Sequence, residues 1–428
     1  MNNEDICPSK YDNSLAAIAK PALPAFPEFG KQMRAFFSLD PNYLILNNGS
    51  FGSIPKYVSD SFYYYHLCSE FNPDRWMNYV VKELFMNTLK RFSPYIGCKD
   101  YTQLTFTQNT TTSINSALRS FQFNSGDIIV RYNTTYGGCY NSISFVCDRS
   151  EATAIDINLS FPCSSEDIID STLKTIEQVQ AMPGKKIRLA VVDAISALPG
   201  IVFPYQKLVT IFKNLGAKVF VDAAHALGQI DLDIDSLGCD YLSTNAHKWF
   251  FTKRGCAIFY VAKELHSEVH PTTISWAYNP DLGWNQAFFS QGVTDYSAYL
   301  TLNPAMDFIE AVGGLKKIQD YNHKLALDGM ELLKSKYNLE PLTTDISQIG
   351  TMFNIKLPLK SGNQNHDLIG ANLSKTLLMK NASGATYKHN GNWLMRLTAS
   401  IFSDATDFDH FGKLLIETIN EEKNKLLH

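Results

Sequence analysis

Residues 221–249 read VDAAHALGQIDLDIDSLGCDYLSTNAHKW. An apolar, β-branched run ends in Asp222, and a second apolar run ends just before Lys248, which lies 26 residues further on. Both runs are short and bounded by turn residues, the mark of strands buried on both faces. In an open parallel sheet the carboxyl ends of such strands form the ligand crevice. An aspartate and a lysine at two neighbouring ends can face a single small molecule. Taken singly, Asp222 reads more simply as a helix N-cap and Lys248 as one surface lysine among many.

The pattern continues outward. Strands are expected at TQLTFTQ (102–108), DIIVRY (127–132), IRLAVVDAIS (187–196), AKVFVDAAH (217–225), CDYLSTNAHK (239–248) and GCAIFYV (255–261). Helices are expected at TSINSALRSF (112–121) and QKLVTIFKNLG (206–216). Strands alternating with helices predict an α/β fold: a large, mostly parallel sheet domain covered by helices. Upstream, residues 56–95 carry helical periodicity interrupted at FNPDRW. Beyond residue 300, long helical stretches precede short strands near TMFNIKLP and WLMRLTAS, which predicts a small C-terminal α/β domain. The expected organisation is an irregular, Pro-rich N-terminal arm (1–40), a large domain (41–305) and a small domain (306–428).

Composition bounds the function. The chain has 428 residues, 45% hydrophobic and 19% charged, an ordinary globular balance with 27 Phe and 21 Tyr to fill a core. A net charge of −4 argues against a nucleic-acid partner. No apolar run is long enough for a transmembrane helix, so no membrane partner is expected. The start, MNNEDICPSKYDNS, reads as neither a secretory nor a mitochondrial leader, which predicts a cytoplasmic protein. Eight cysteines show no CxxC pair and no zinc-like spacing, so they read as reduced thiols without a metal site. None follows Cys256.

Two further pieces join Asp222 and Lys248. TQNTTTSIN places Asn109, Thr110 and Thr111 between a strand and a helix, where free N–H groups and the helix dipole favour a phosphate. Simple N-capping by threonine is the plainer reading of the same residues. Tyr136, in TTYGG, is an aromatic in a strand-end loop. Together these match what pyridoxal phosphate needs: a Schiff-base lysine, a carboxylate for its ring nitrogen, a phosphate cradle and an aromatic plate.

Three motifs carry a family resemblance: LNNGSFG (46–52), the 221–249 stretch and RLTASIFSD (396–404). They resemble the class V aminotransferase family of fold-type I pyridoxal-phosphate enzymes, and within it the isopenicillin N epimerase-like branch. The resemblance runs from Tyr43 to Leu415. It implies that Lys248 forms the Schiff base and moves protons, and that Asp222 pairs with the ring nitrogen. It implies His225 beside the phenolic oxygen, and Thr110, Thr111, Asn245 and His247 on the phosphate. Tyr136 would stack on the ring, and Arg396, with Asn48 nearby, would bind the substrate carboxylate. It also implies a homodimer acting on a small amino-acid substrate.

Segments 191–206 and 387–402 resemble the hercynylcysteine sulfoxide lyases of fungal ergothioneine biosynthesis, which implies a C–S β-lyase. An epimerase, an aminotransferase, a cysteine desulfhydrase and a catalytically silent dimeric scaffold are the alternatives. Desulfurases of this class need a cysteine where this chain reads NASGATYKHNG. Two departures stand out. Val293 replaces a family threonine in Gly292-Val293-Thr294-Asp295, and Asn48 stands where relatives often carry histidine.

Overall fold

In a computed structural model, residues 18–426 are described. The strands, in chain order, are β1 (Leu44–Ile45), β2 (Leu104–Thr107), β3 (Asp127–Tyr132), β4 (Thr153–Ile157), β5 (Lys186–Asp193) and β6 (Lys218–Asp222). They continue with β7 (Tyr241–Thr244), β8 (Ala257–Val261), β9 (Met352–Lys360), β10 (Ala382–Ser383), β11 (Ala385–His389) and β12 (Asn392–Thr398). A seven-stranded sheet has the order β2-β8-β7-β6-β5-β3-β4. Only β8 runs against its neighbours, so β2 and β7 point the same way as β3, β5 and β6. The large, mostly parallel sheet read from the sequence is therefore present.

The apolar runs explain the order. Strands β6, β7 and β8 are buried along nearly their whole length, as expected for central strands covered on both faces. The covering helices include Thr110–Ser120, Gly137–Cys147, Ser165–Gln180 and Tyr205–Asn214. Asn109 starts the first of these by accepting the Thr112 N–H at 2.9 Å. A reciprocal Ser164–Asp167 capping box starts the third. Neither β4 nor the Ser165–Gln180 helix was read from the sequence. β4 is an edge strand, only half buried, and its pattern is correspondingly weak.

All carboxyl ends of the parallel strands, and that of β2, open onto one edge. This edge carries Asn109, Tyr136, Asp193, Asp222 and the Asn245–Lys248 turn.

A second sheet of three antiparallel strands, in the order β11-β12-β9, is backed by helices Leu315–Tyr337, Gln364–Met379 and Ala405–Lys425. Its own core gathers Leu325, Leu333, Phe353, Trp393, Phe408 and Phe411. Asn390 and Gly391, with φ of 47° and 73°, make the two-residue hairpin between β11 and β12.

Two chain segments tie the sheets together. β1 pairs with β10 in parallel, and Leu46 O accepts the Thr398 N–H at 2.9 Å. Of the Pro-rich arm, residues 1–17 lie outside the described residues. The described part is not loose. Met33 and Phe37 are buried, and Phe37 packs on Phe251 and Phe308 and, with centroids 4.8 Å apart, on Phe402. Its aromatic residues, rather than any periodicity, hold it to the core.

Candidate active site

At the carboxyl edge of the large sheet lies a cavity of about 680 Å³. Thr110, Thr111, Tyr136, Asp222, His225, Asn245, His247, Lys248 and Arg396 all line it. Asn48 does not. It is buried behind the wall, where its side-chain amide donates to Lys248 O at 3.4 Å. Its neighbours Asn47 and Ser50 act on the cavity instead, and both went unread.

The close approach of this loop depends on Gly52. Its φ is +68°, and a Cβ there would stand 1.8 Å from His247 O. Only glycine tolerates both the backbone conformation and the contact. The LNNGSFG turn is thereby pressed against the Lys248 backbone.

Lys248 Nζ lies 2.8 Å from His225 Nε2. Burial and the charge of Arg396 pull its pKa down to about 7, against an opposing pull from Asp222. Such a lysine is a nucleophile and base near neutral pH. His225, deeply buried and beside Lys248 and Arg396, is held well below the usual imidazole range and stays neutral.

Asp222 accepts the Ala224 N–H at 3.0 Å and the Cys139 thiol at 3.2 Å. It stands in register with Asp193 on the adjacent strand. Both carboxyls are buried and both are pushed up by desolvation, Asp193 further by the charge of Asp222. Asp193 Oδ2 has no hydrogen-bond partner among the described residues. A protonated ring nitrogen fits this acidic pair, which lacks a permanent cation of its own. Asp193 was not picked out from the sequence. Its signal was there, since VVD at 191–193 and FVD at 220–222 both end an apolar strand in aspartate.

The phosphate end is more constrained than its residue types alone imply. Asn245 Oδ1 accepts the Thr110 N–H at 3.0 Å and the Thr110 hydroxyl at 3.3 Å. What Asn245 can offer a phosphate is its NH₂ group. His247 donates Nδ1–H to Cys256 O at 3.0 Å, because a carbonyl can only accept. Burial draws its pKa to about 4, so its Nε2 carries a lone pair. His247 would have to gain a proton to hold a phosphate oxygen. Tyr136 is 53% exposed and free to cover a planar ring.

Arg396 is 3% exposed and has no carboxylate partner among the described residues. Its Nη1 donates to Ala197 O at 2.6 Å, and its Nη2 to Asn47 Oδ1 at 2.9 Å and Ser50 Oγ at 3.0 Å. Nε has no partner. A buried guanidinium held by neutral groups lacks a counter-charge, and a substrate carboxylate supplies one. The donors and acceptors thus fit pyridoxal phosphate and an amino acid.

Comparison with known proteins agrees. The chain is 25% identical over 400 residues to hercynylcysteine sulfoxide lyase of Schizosaccharomyces pombe, covering 90% of this chain and 97% of that one. It is 29% identical over 293 residues to an L-cysteine desulfhydrase of Arabidopsis thaliana, covering 66% and 64%. The fold matches a mutant of C-DES with glycine linked to its pyridoxal-phosphate cofactor, with a TM-score of 0.75 at 18% identity, over 89% of this chain and 98% of that one. The model of the aminotransferase class-V family matches residues 52–371. The chain belongs to the class V aminotransferase family and is a pyridoxal-phosphate-dependent enzyme.

Proposed function

We propose that this enzyme is a C–S β-lyase acting on a cysteine-derived amino acid, in the manner of the hercynylcysteine sulfoxide lyases of ergothioneine biosynthesis. The observation that carries the reading is Lys248 Nζ, with its pKa near 7, sharing one cavity with the Asp222 carboxylate and the Arg396 guanidinium. The names and coverage of the relatives support sulfur chemistry.

Bound pyridoxal phosphate supplies an electron sink, which makes the Cα–H of an attached amino acid acidic and lets the Cβ–S bond break. Asp222 would hold the ring nitrogen protonated. Arg396 holds the substrate carboxylate and so aims the Cα–H at Lys248. Lys248 Nζ, as the neutral amine, takes that proton. The sulfur group leaves from Cβ, and hydrolysis of the remaining three-carbon fragment yields pyruvate and ammonia.

Persulfide chemistry is disfavoured. Among the described residues the thiol lining the cavity is Cys139. It is buried against Asp222, and desolvation raises its pKa well above the ordinary thiol value, so it is a poor nucleophile. We further propose a cytoplasmic homodimer. Cys98, Cys139, Cys147, Cys163, Cys239 and Cys256 are free thiols, as a reducing compartment keeps them. Val293 is 95% exposed and Trp276 73%, an apolar exposure suited to a partner subunit.

The test is a substrate panel of cysteine, thioethers and their sulfoxides, scored for pyruvate, ammonia and Cα deuterium exchange. Pyruvate from the sulfoxide in preference to cysteine is expected. Cysteine as sole substrate would make the enzyme a desulfhydrase. Racemisation without pyruvate would make it an epimerase, and a keto acid without sulfur release a transaminase.

A further inference from the structure

We propose that Trp249 is a positioning residue whose indole N–H fixes the tautomer of His225, so that His225 presents a donor at Nε2 to Lys248 and to the cofactor. Trp249 Nε1 lies 3.4 Å from His225 Nδ1, and Lys248 Nζ lies 2.8 Å from His225 Nε2. An indole N–H can only donate. His225 Nδ1 therefore accepts, and the single proton of the neutral ring sits on Nε2. Nε2–H in turn requires a lone pair on Lys248 Nζ, which the amine has and the ammonium lacks.

The reverse arrangement fails. With the proton on Nδ1, two N–H groups would face each other across the Trp249 contact. Protonating the ring brings the same clash. Burial and the charges of Lys248, Arg396 and His247 oppose a positive charge on His225. Asp222 and Cys139, on the adjoining strand and helix, favour the Lys248 ammonium, but burial and Arg396 outweigh them.

The indole is held in place. Trp249 is 3% exposed and packs with Ile195 and Met352. A Cβ at Gly49 would stand 2.8 Å from its Cζ2, and a Cβ at Gly228 2.5 Å from its carbonyl oxygen. The His225 backbone is tethered too, its carbonyl accepting from Gln229 Nε2 at 2.7 Å. A phenylalanine would fill much of the same slot, so the feature that packing does not require is the indole N–H. A free histidine can offer a donor or an acceptor to a cofactor oxygen; Trp249 removes the choice. The inference rests on the cofactor site and not on the substrate, so it stands or falls apart from the lyase reading.

The test uses ¹⁵N-histidine-labelled holoenzyme followed by NMR from pH 6 to 9, with His225→Gln identifying the signal. Wild type should show His225 protonated at Nε2 and bare at Nδ1 throughout, whereas Trp249→Phe should admit the Nδ1–H form. In parallel, the visible absorbance of the bound cofactor is titrated. Trp249→Phe should move the midpoint by about one pH unit in the wild-type background. It should move it negligibly in the His225→Gln background, because a glutamine amide keeps its NH₂ donor whatever its other end meets. Equal shifts in both backgrounds would reduce Trp249 to packing and overturn the proposal. So would a wild-type His225 protonated at Nδ1, a result that needs no variant at position 249.

Discussion

The edge of the seven-stranded sheet and the wall formed by the small sheet meet at one cavity but are built differently. On the edge, the backbone ladder aligns Asp193 with Asp222, and Lys248 sits in the turn just beyond the next strand. On the wall, Arg396 is held by Asn47 and Ser50, 349 and 346 residues away in sequence. The edge groups have pKa values shifted from their ordinary range, the two carboxyls upward and Lys248 down to about 7, and suit proton transfer. The wall offers a permanent cation held by neutral groups and suits binding. The division teaches that chemistry and substrate recognition can be perturbed separately.

The sharpest way to break the comparison is Lys248→Ala. Pyruvate release should fall by about a thousandfold or more, and borohydride should no longer fix cofactor to the chain. Retained fixation would move the chemistry to another lysine. Asp222→Ala should lower kcat by about a hundredfold with little change in KM, measured on the loaded enzyme. Arg396→Ala should do the opposite. KM should rise about thirtyfold or more, in keeping with roughly 2–3 kcal/mol for a charged hydrogen bond, while cofactor affinity holds. Equal loss of substrate and cofactor binding would merge the two regions into one structural unit.

The pH dependence tests the edge alone. Below about 7, Lys248 is ammonium and lacks the lone pair that attacks the cofactor. Cofactor uptake by the stripped protein should therefore rise about tenfold per pH unit up to that point and level off above it. The sign for stability follows. The ordinary lysine value is 10.5 and the folded value about 7, so between them the unfolded chain holds the extra proton. The stability of the cofactor-free protein, as far as Lys248 governs it, should rise with pH across that window. The smallest effect is on the wall. Asn47→Ala should raise KM only about threefold to fivefold, since Ala197 O and Ser50 still hold the guanidinium.

Much of the edge was legible because a buried strand writes itself as a short apolar run and its end as a turn. Asp222, Lys248 and the Asn109–Thr111 turn were found that way. β4 was missed because an edge strand half open to solvent lacks that run. The β11–β12 hairpin was missed although Asn390-Gly391 between two strands is a strong local sign of one. Asn48 was expected at the substrate from the glycine loop, yet the turn aims Asn47 and Ser50 at Arg396 and buries Asn48 against the Lys248 backbone.

The sequence by itself determined the central strands and the chemistry at two of their ends: that an aspartate and a lysine share an edge. Local pattern suffices there, because a strand's burial is set by its own side chains. Tertiary structure alone decided protonation and aim. That Lys248 is an amine, that His247 turns its proton to Cys256 O and that Arg396 lacks a counter-ion all depend on distance, burial and neighbours remote in sequence. Charge is a property of a residue, but its pKa and its partner belong to the place where the fold leaves it.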